Sequence, residues 1–299
     1  MGCLYAIEAY GSDAGRVRQA VEAALDEVDR LDRLMSHYKD HSELSRINRE
    51  AAARPTAVSE DLFDVLATSL RYSRETAGAF DVTVGPLMTA WGFFRGDGRV
   101  PSAAALAAAR GVVGSHHVTL DPARQTVSFD APGVVLDLGG IGKGYAVDRA
   151  VRILTAGGVS AALVSAGGST IFGLGSPPDR RGWDVAVQDP IDASRTAMRV
   201  TLEDRALSVA GSSEKFFEVD GVTYSHIMDP RSAQPARGVL AVAVVTATGT
   251  AGDALDNAFF VLGPHDSVPV ARRYARTDAY FFLPAPERGW TRVDLHRDE

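Results

Sequence analysis

The chain has 299 residues, a formal net charge of -7 and a single cysteine, Cys3. A chain of this length buries about 75 % of its unfolded surface, so it folds without a disulfide or structural metal, and one Cys can build neither a bridge nor a Cys-based zinc site. With 45 % hydrophobic and 23 % charged residues the composition is that of a globular protein, and an acidic balance without a basic run argues against a nucleic-acid surface.

The start, MGCLYAIEAYG, has neither a basic region nor a long apolar run, so it is not expected to act as a signal peptide. As the sequence stands a cytoplasmic protein is expected; export or membrane anchoring after loss of a leader is the alternative. No run approaches the ~18 apolar residues of a membrane span. Over 14–35, Val17, Val21, Leu25, Val28, Leu31 and Met35 recur every three or four residues, which predicts an amphipathic helix. SHYKDHSELSRINRE reads as a polar loop with a short helical end. Ser59 opens a second helix with Leu62, Phe63, Leu66 and Leu70 on one face and Gly78 as its stop. GAFDVTVGPLMTAWGFF, rich in aromatics and glycine, reads as a functional loop. PSAAALAAAR predicts a short helix ending at Gly111.

Strands dominate afterwards: HHVTLD, QTVSFD, GVVLDL, SAALVSA, WDVAVQDP, TAMRVTL, KFFEVDGVTY and GVLAVAVVTA. Asp220-Gly221 between two alternating runs is a hairpin signal. Helices are expected after Gly144 and over 252–262. Adjacent strands without helical crossovers predict α+β with mostly antiparallel sheets and packed helices. No linker or repeat divides the chain, so one domain over 1–299 is expected, or two intimately packed α/β halves.

The segments with chemical content begin at DLGGIGKGYAVD. A glycine turn with Lys143, ahead of a helix, can cradle a phosphate, although it matches neither the P-loop nor the dinucleotide fingerprint; a tight turn with a solvated lysine is the alternative. SHIMDPRSAQP carries His226, a base near neutral pH or a packed turn residue. In GDALDNAFFVLG, Asp253, Asp256 and Asn257 project from one side of a first helical turn, which suits a hard cation such as Mg²⁺ or else merely favours the helix dipole. SAGGSTIFGLG permits close backbone approach. Asp81 among Phe80, Trp91 and Phe93 suits a flat ring ligand, or marks ordinary core aromatics.

Taken together, MGCLYAIEA, LMSHYKDHSELSRIN, TAGAFDVTVGPLMTAWGF, VLDLGGIGKGYAVD, LVSAGGS, HIMDPRS and GDALDNAFFVLG, in this order, resemble the ApbE family of flavin transferases. The resemblance implies an ApbE-like (T-fold-like) architecture with an FAD site between two halves. It also implies a reaction, Mg²⁺-dependent transfer of FMN from FAD to a Thr or Ser hydroxyl of an acceptor protein with a flavinylation-type motif, releasing AMP. An FAD pyrophosphatase giving FMN and AMP and a non-enzymatic FAD-binding protein are the alternatives. By resemblance, Met1, Tyr38, Ala79, Phe80, Asp81, Asp137, Lys143 and Met228 contact FAD, Gly140, Asp253, Asp256 and Asn257 hold the metal, and His226 is the base. The chain departs from the family pattern at Asn257 (usually Thr), at Val209-Ala210-Gly211 (usually Thr-Ser-Gly), at Ala233 (usually Gly) and at Ser169 (often an acid or amide).

Overall fold

The structure is a computed structural model that describes residues 3–94 and 96–296. Its centre is a seven-stranded antiparallel sheet: β1 (Tyr5–Tyr10), β2 (Ala161–Ala166), β3 (Thr170–Leu174), β4 (Arg205–Gly211), β5 (Ala241–Thr246), β6 (Asp278–Ala285) and β7 (Gly289–His296). Spatial order follows chain order, so every neighbour is antiparallel and the rest of the chain is inserted between successive strands.

β5 shows why the sheet is central. All its residues are buried, with Val242 and Val244 facing a large core and Ala241, Ala243 and Val245 facing a second one. An alternating side-chain direction with both faces covered requires the unbroken apolar run AVAVV. The first face is covered by the helices. The second is covered by a hairpin, Trp183–Gln188 with Thr196–Leu202, through Trp183, Val185, Val187 and Leu202.

The helices are α1 (Ala14–Met35), α2 (Glu43–Glu50), α3 (Glu60–Glu75), α4 (Gly85–Ala90), α5 (Ala103–Arg110), α6 (Gly142–Ala156) and α7 (Gly249–Ala271). Side chains of Asp13, Ser42, Ser59, Ser102 and Thr248 cap α1, α2, α3, α5 and α7, each accepting first-turn backbone N–H groups. α6 has no such residue, since Ile141 occupies its N-cap position. α7 extends well beyond the expected 252–262, continuing past a break at Gly263 (φ 71°) that Pro264 follows. Among the described residues no helix is long and apolar enough to cross a membrane.

Two expectations change. GVVLDL is buried and extended but is not a strand. The Asn48 side chain takes the place of a neighbouring strand: Leu136 N donates to Asn48 Oδ1 at 2.8 Å and Asn48 Nδ2 donates to Leu136 O at 2.9 Å. Its flanking groups bond to the aromatic loop, with Asp137 N donating to Val82 O at 2.7 Å and Gly85 N to Val135 O at 3.2 Å. That loop is also more regular than expected, because Pro86 starts the short helix α4 inside it. The hairpin at Asp220-Gly221 forms as expected, with positive φ at both turn residues (52° and 72°).

Candidate active site

A cavity of about 890 Å³ opens where the chain leaves α1, the aromatic loop, the glycine turn before α6, the β2–β3 turn, the chain after β4 and the start of α7 meet. It is lined by Tyr38, Ala79, Phe80, Asp81, Asp137, Gly140, Lys143, His226, Met228, Asp253, Asp256 and Asn257. Every sequence-predicted site residue therefore lies on it except Met1, which falls outside the described residues.

The glycine turn and the α7 acids are one structure. Asp253 Oδ2 accepts from Gly144 N at 2.7 Å, which supplies α6 with the cap its own sequence lacks. Its Oδ1 accepts from Thr170 Oγ1 at 2.5 Å and from Ser208 Oγ at 3.3 Å. Thr170 and Ser208 are directly paired across β3 and β4, so the sheet presents both hydroxyls to one carboxylate. Asp256, one turn along, is buried beside it. Burial first, and then the charge of Asp253, push the Asp256 carboxyl well above the usual carboxylate range. Asn257 Nδ2 donates to Asp253 O at 2.9 Å and to Asp256 Oδ1 at 2.8 Å, which leaves its amide oxygen for another partner. Gly140 runs against this group, for a Cβ there would stand 3.2 Å from Asn257 Nδ2.

Lys143 reaches in from the first turn of α6 and donates to Ser169 Oγ at 2.5 Å. Burial opposes its charge, but Asp253, Glu214 and Asp256 outweigh this and hold the ammonium protonated. Ser169, one of the departures from the family pattern, thus holds the Lys143 ammonium.

His226 is half-buried. Its backbone N donates to Lys215 O at 2.9 Å and its Nδ1 faces the same carbonyl at 3.2 Å. A carbonyl accepts only, so Nδ1 carries the proton and Nε2 keeps its lone pair. Burial lowers the imidazole pKa to about 4, so the ring is neutral near neutral pH.

The aromatic loop divides its labour. Asp81 is buried and accepts from Ser73 Oγ (2.9 Å), Thr83 N (2.9 Å), Thr83 Oγ1 (2.6 Å) and Ser115 N (2.8 Å), so its carboxylate anchors the loop from inside. Trp91 is a core residue, whereas Phe80, though buried, lines the cavity with Phe93 and Phe94. Asp137 accepts from Gly139 N at 2.9 Å and meets His37 Nδ1 at 3.2 Å. Burial acts to raise its pKa, but these partners prevail and hold it below the usual range.

Sequence reasoning overlooked His37, Phe94 and Lys215, which also line the cavity. It overlooked Thr170 and Ser208 as well, because the strands that carry them were not expected.

A family model described as the ApbE family matches residues 1–281. The chain belongs to the ApbE family. A Klebsiella pneumoniae relative named FAD:protein FMN transferase is 35 % identical over 281 residues, covering 91 % of this chain and 79 % of that protein. An Escherichia coli K12 relative of the same name is 34 % identical over 279 residues, with the same coverage. Among solved structures, the apo form of the Pseudomonas stutzeri flavinyl transferase ApbE superposes with a TM-score of 0.84 at 31 % identity, covering 98 % of this chain and 92 % of that one. The flavin transferase ApbE of Vibrio cholerae gives 0.83 at 30 % identity, covering 98 % and 94 %. The ApbE fold of this chain is therefore the mixed helix and antiparallel-sheet architecture expected.

Proposed function

We propose that this ApbE-family chain is an FAD:protein FMN transferase that moves FMN from FAD onto a Thr or Ser hydroxyl of an acceptor protein, with Mg²⁺ as cofactor and AMP as the leaving group. The observation that carries the reading is the convergence of three chemistries on one cavity: a neutral imidazole with a free Nε2, a protonated lysine, and a pair of buried acids. The domain is read as one unit, since a single cluster of buried apolar side chains extends from Ala20 to Phe281.

The donor set fits a hard cation. Among the described residues no group of three or more His, Cys, Asp or Glu side chains could hold a metal alone. Asp253 and Asp256 are a pair, and Asn257 and the Gly140 carbonyl complete an all-oxygen set that leaves positions for substrate phosphates, the habit of Mg²⁺. Burial and Asp253 both disfavour an ionised Asp256, and a bound cation would offset that cost. When bound, the cation would neutralise charge on the pyrophosphate oxygens.

The remaining chemistry belongs to the chain. Lys143 adds positive charge at the phosphates. Phe80, Phe93, Phe94 and Tyr38 supply apolar faces for flat rings. His226 Nε2 takes the proton of the acceptor hydroxyl as that oxygen bonds to the FMN phosphorus. The phosphorus–oxygen bond to AMP breaks, and AMP leaves as its monoester. An anionic pyrophosphate entering the cavity raises the basicity of His226 from its low value.

The test is incubation of the purified protein with FAD, Mg²⁺ and a small domain bearing a flavinylation-type threonine. A mass gain on the acceptor equal to an FMN phosphoester, with AMP in solution, supports the transferase. AMP and FMN without acceptor modification point to the pyrophosphatase, and intact bound FAD to a binding protein.

A further inference from the structure

His37 has no role in the chemistry above, yet it stands in the wall of the same cavity. Its side chain is only 18 % exposed, and its Nδ1 lies 3.2 Å from Asp137 Oδ1. Asp137 is a buried carboxylate held anionic by its partners, and an anionic oxygen needs a donor. Nδ1 therefore carries a proton, and Nε2 is the ring's polar atom left for a further partner. That Nε2 is buried and has no hydrogen-bond partner among the described residues. Such an atom is rare in a folded chain and is costly unless something satisfies it.

The surroundings specify what could do so. The imidazole is flanked by the rings of Tyr38, with centroids 3.8 Å apart, and Phe94, at 4.6 Å. Tyr38 is 56 % exposed, so it can move aside without opening the core. Flat faces on two sides suit a heterocycle. A phosphate is disfavoured there, because Asp137 would repel it across the imidazole. The phosphate end of the cavity lies instead with Lys143 and Ser169.

We propose that His37 is a ring-recognising residue: its Nε2 hydrogen-bonds the polar edge of a heterocycle of bound FAD, the adenine or the pyrimidine ring of the flavin, while Asp137 fixes its orientation. The proposal rests on the FAD reading above and adds a specificity contact to it.

The experiment is calorimetric binding of FAD, FMN, AMP and inorganic pyrophosphate to the wild-type chain, His37→Phe and His37→Gln, with thermal melting of each. Phe keeps the flat face and removes the polar atom; Gln restores an amide that can donate or accept. The expected result is FAD binding about tenfold weaker in His37→Phe, the size of one lost hydrogen bond, with partial recovery in His37→Gln. Pyrophosphate binding stays unchanged. The loss is shared by AMP alone if the partner is adenine, and by FMN alone if it is flavin. FAD affinity in His37→Phe equal to or tighter than wild type overturns the proposal. So does a parallel loss for all four probes with a lowered melting temperature, which marks a structural role. Absence of FAD binding by the wild-type chain overturns the functional reading itself, and this proposal with it.

Discussion

Asp148 and Asp253 cap each other's helices. Asp148, on α6, accepts from Gly249 N at 2.6 Å and Thr250 N at 2.9 Å at the start of α7, while Asp253, on α7, accepts from Gly144 N at 2.7 Å in the first turn of α6. Asp148 also accepts from Thr250 Oγ1 at 2.5 Å. The glycine turn and the acidic helix turn are thus locked as one piece, and the spacing between lysine and acids follows from it. Asp148→Ala would leave those donors unpaired. We expect a loss of about 2–3 kcal/mol, read as a fall in melting temperature of roughly 5–10 °C. An unchanged melting curve would show that the reciprocal cap carries no stability.

The lock requires glycine where the helices cross. A Cβ on Gly144 would stand 2.0 Å from Gly249 O, and backbone cannot yield as a side-chain tip can. Gly144→Ala is expected to destabilise by about 3 kcal/mol or more and to lower soluble yield. A Gly144→Ala protein as stable as wild type would mean that the helices separate at little cost.

Asp253 has structural work at both oxygens, so its removal mixes folding with metal binding. Asp253→Ala is expected to abolish Mg²⁺-dependent FAD cleavage, but Asp256→Asn is the cleaner probe. It preserves shape and removes an acid that burial and Asp253 both disfavour. Without metal, its melting temperature at pH 8 should equal or exceed that of wild type. The Mg²⁺-induced increase, about 2.7 kcal/mol at a hundredfold excess over Kd, should be lost. An Mg²⁺ increment matching wild type would remove Asp256 from the metal set.

The helices were legible because caps and apolar spacing are local: Ser59 and the apolar stripe of 14–35 mark helices that the structure keeps. The sheet was legible only in part. SAALVSA and GVLAVAVVTA announce β2 and β5, but RALSVAG carries Ser208 at an inward position and TIFGL follows a glycine turn, so β3 and β4 do not look like core strands. Both hydroxyls are buried because Asp253, distant in sequence, meets them there. GVVLDL errs in the opposite direction: a strand-like run whose partner is one side chain, Asn48. In the site, the family resemblance supplied positions that the cavity brings together. His37 escaped notice because its meaning lies in Asp137, a residue that folding alone places beside it.

The pH dependence of transfer should report His226. Burial lowers its pKa to about 4, so the ring stays neutral, and able to accept a proton, down to about pH 5. We expect kcat/KM for transfer to fall only as pH approaches about 4, and His226→Ala to slow transfer by roughly 10² while FAD still binds. An acidic limb near the ordinary histidine value, about 6.5, would place the titrating group elsewhere. Stability gives an independent reading. Between about pH 4 and 6.5 the unfolded ring binds a proton that the folded ring does not, so stability rises with pH across that window and is lost as pH falls through it. His226→Gln should flatten that part of the stability–pH curve, measured by denaturant melts from pH 4 to 7; a slope unchanged from wild type would show that His226 is not protonated on unfolding.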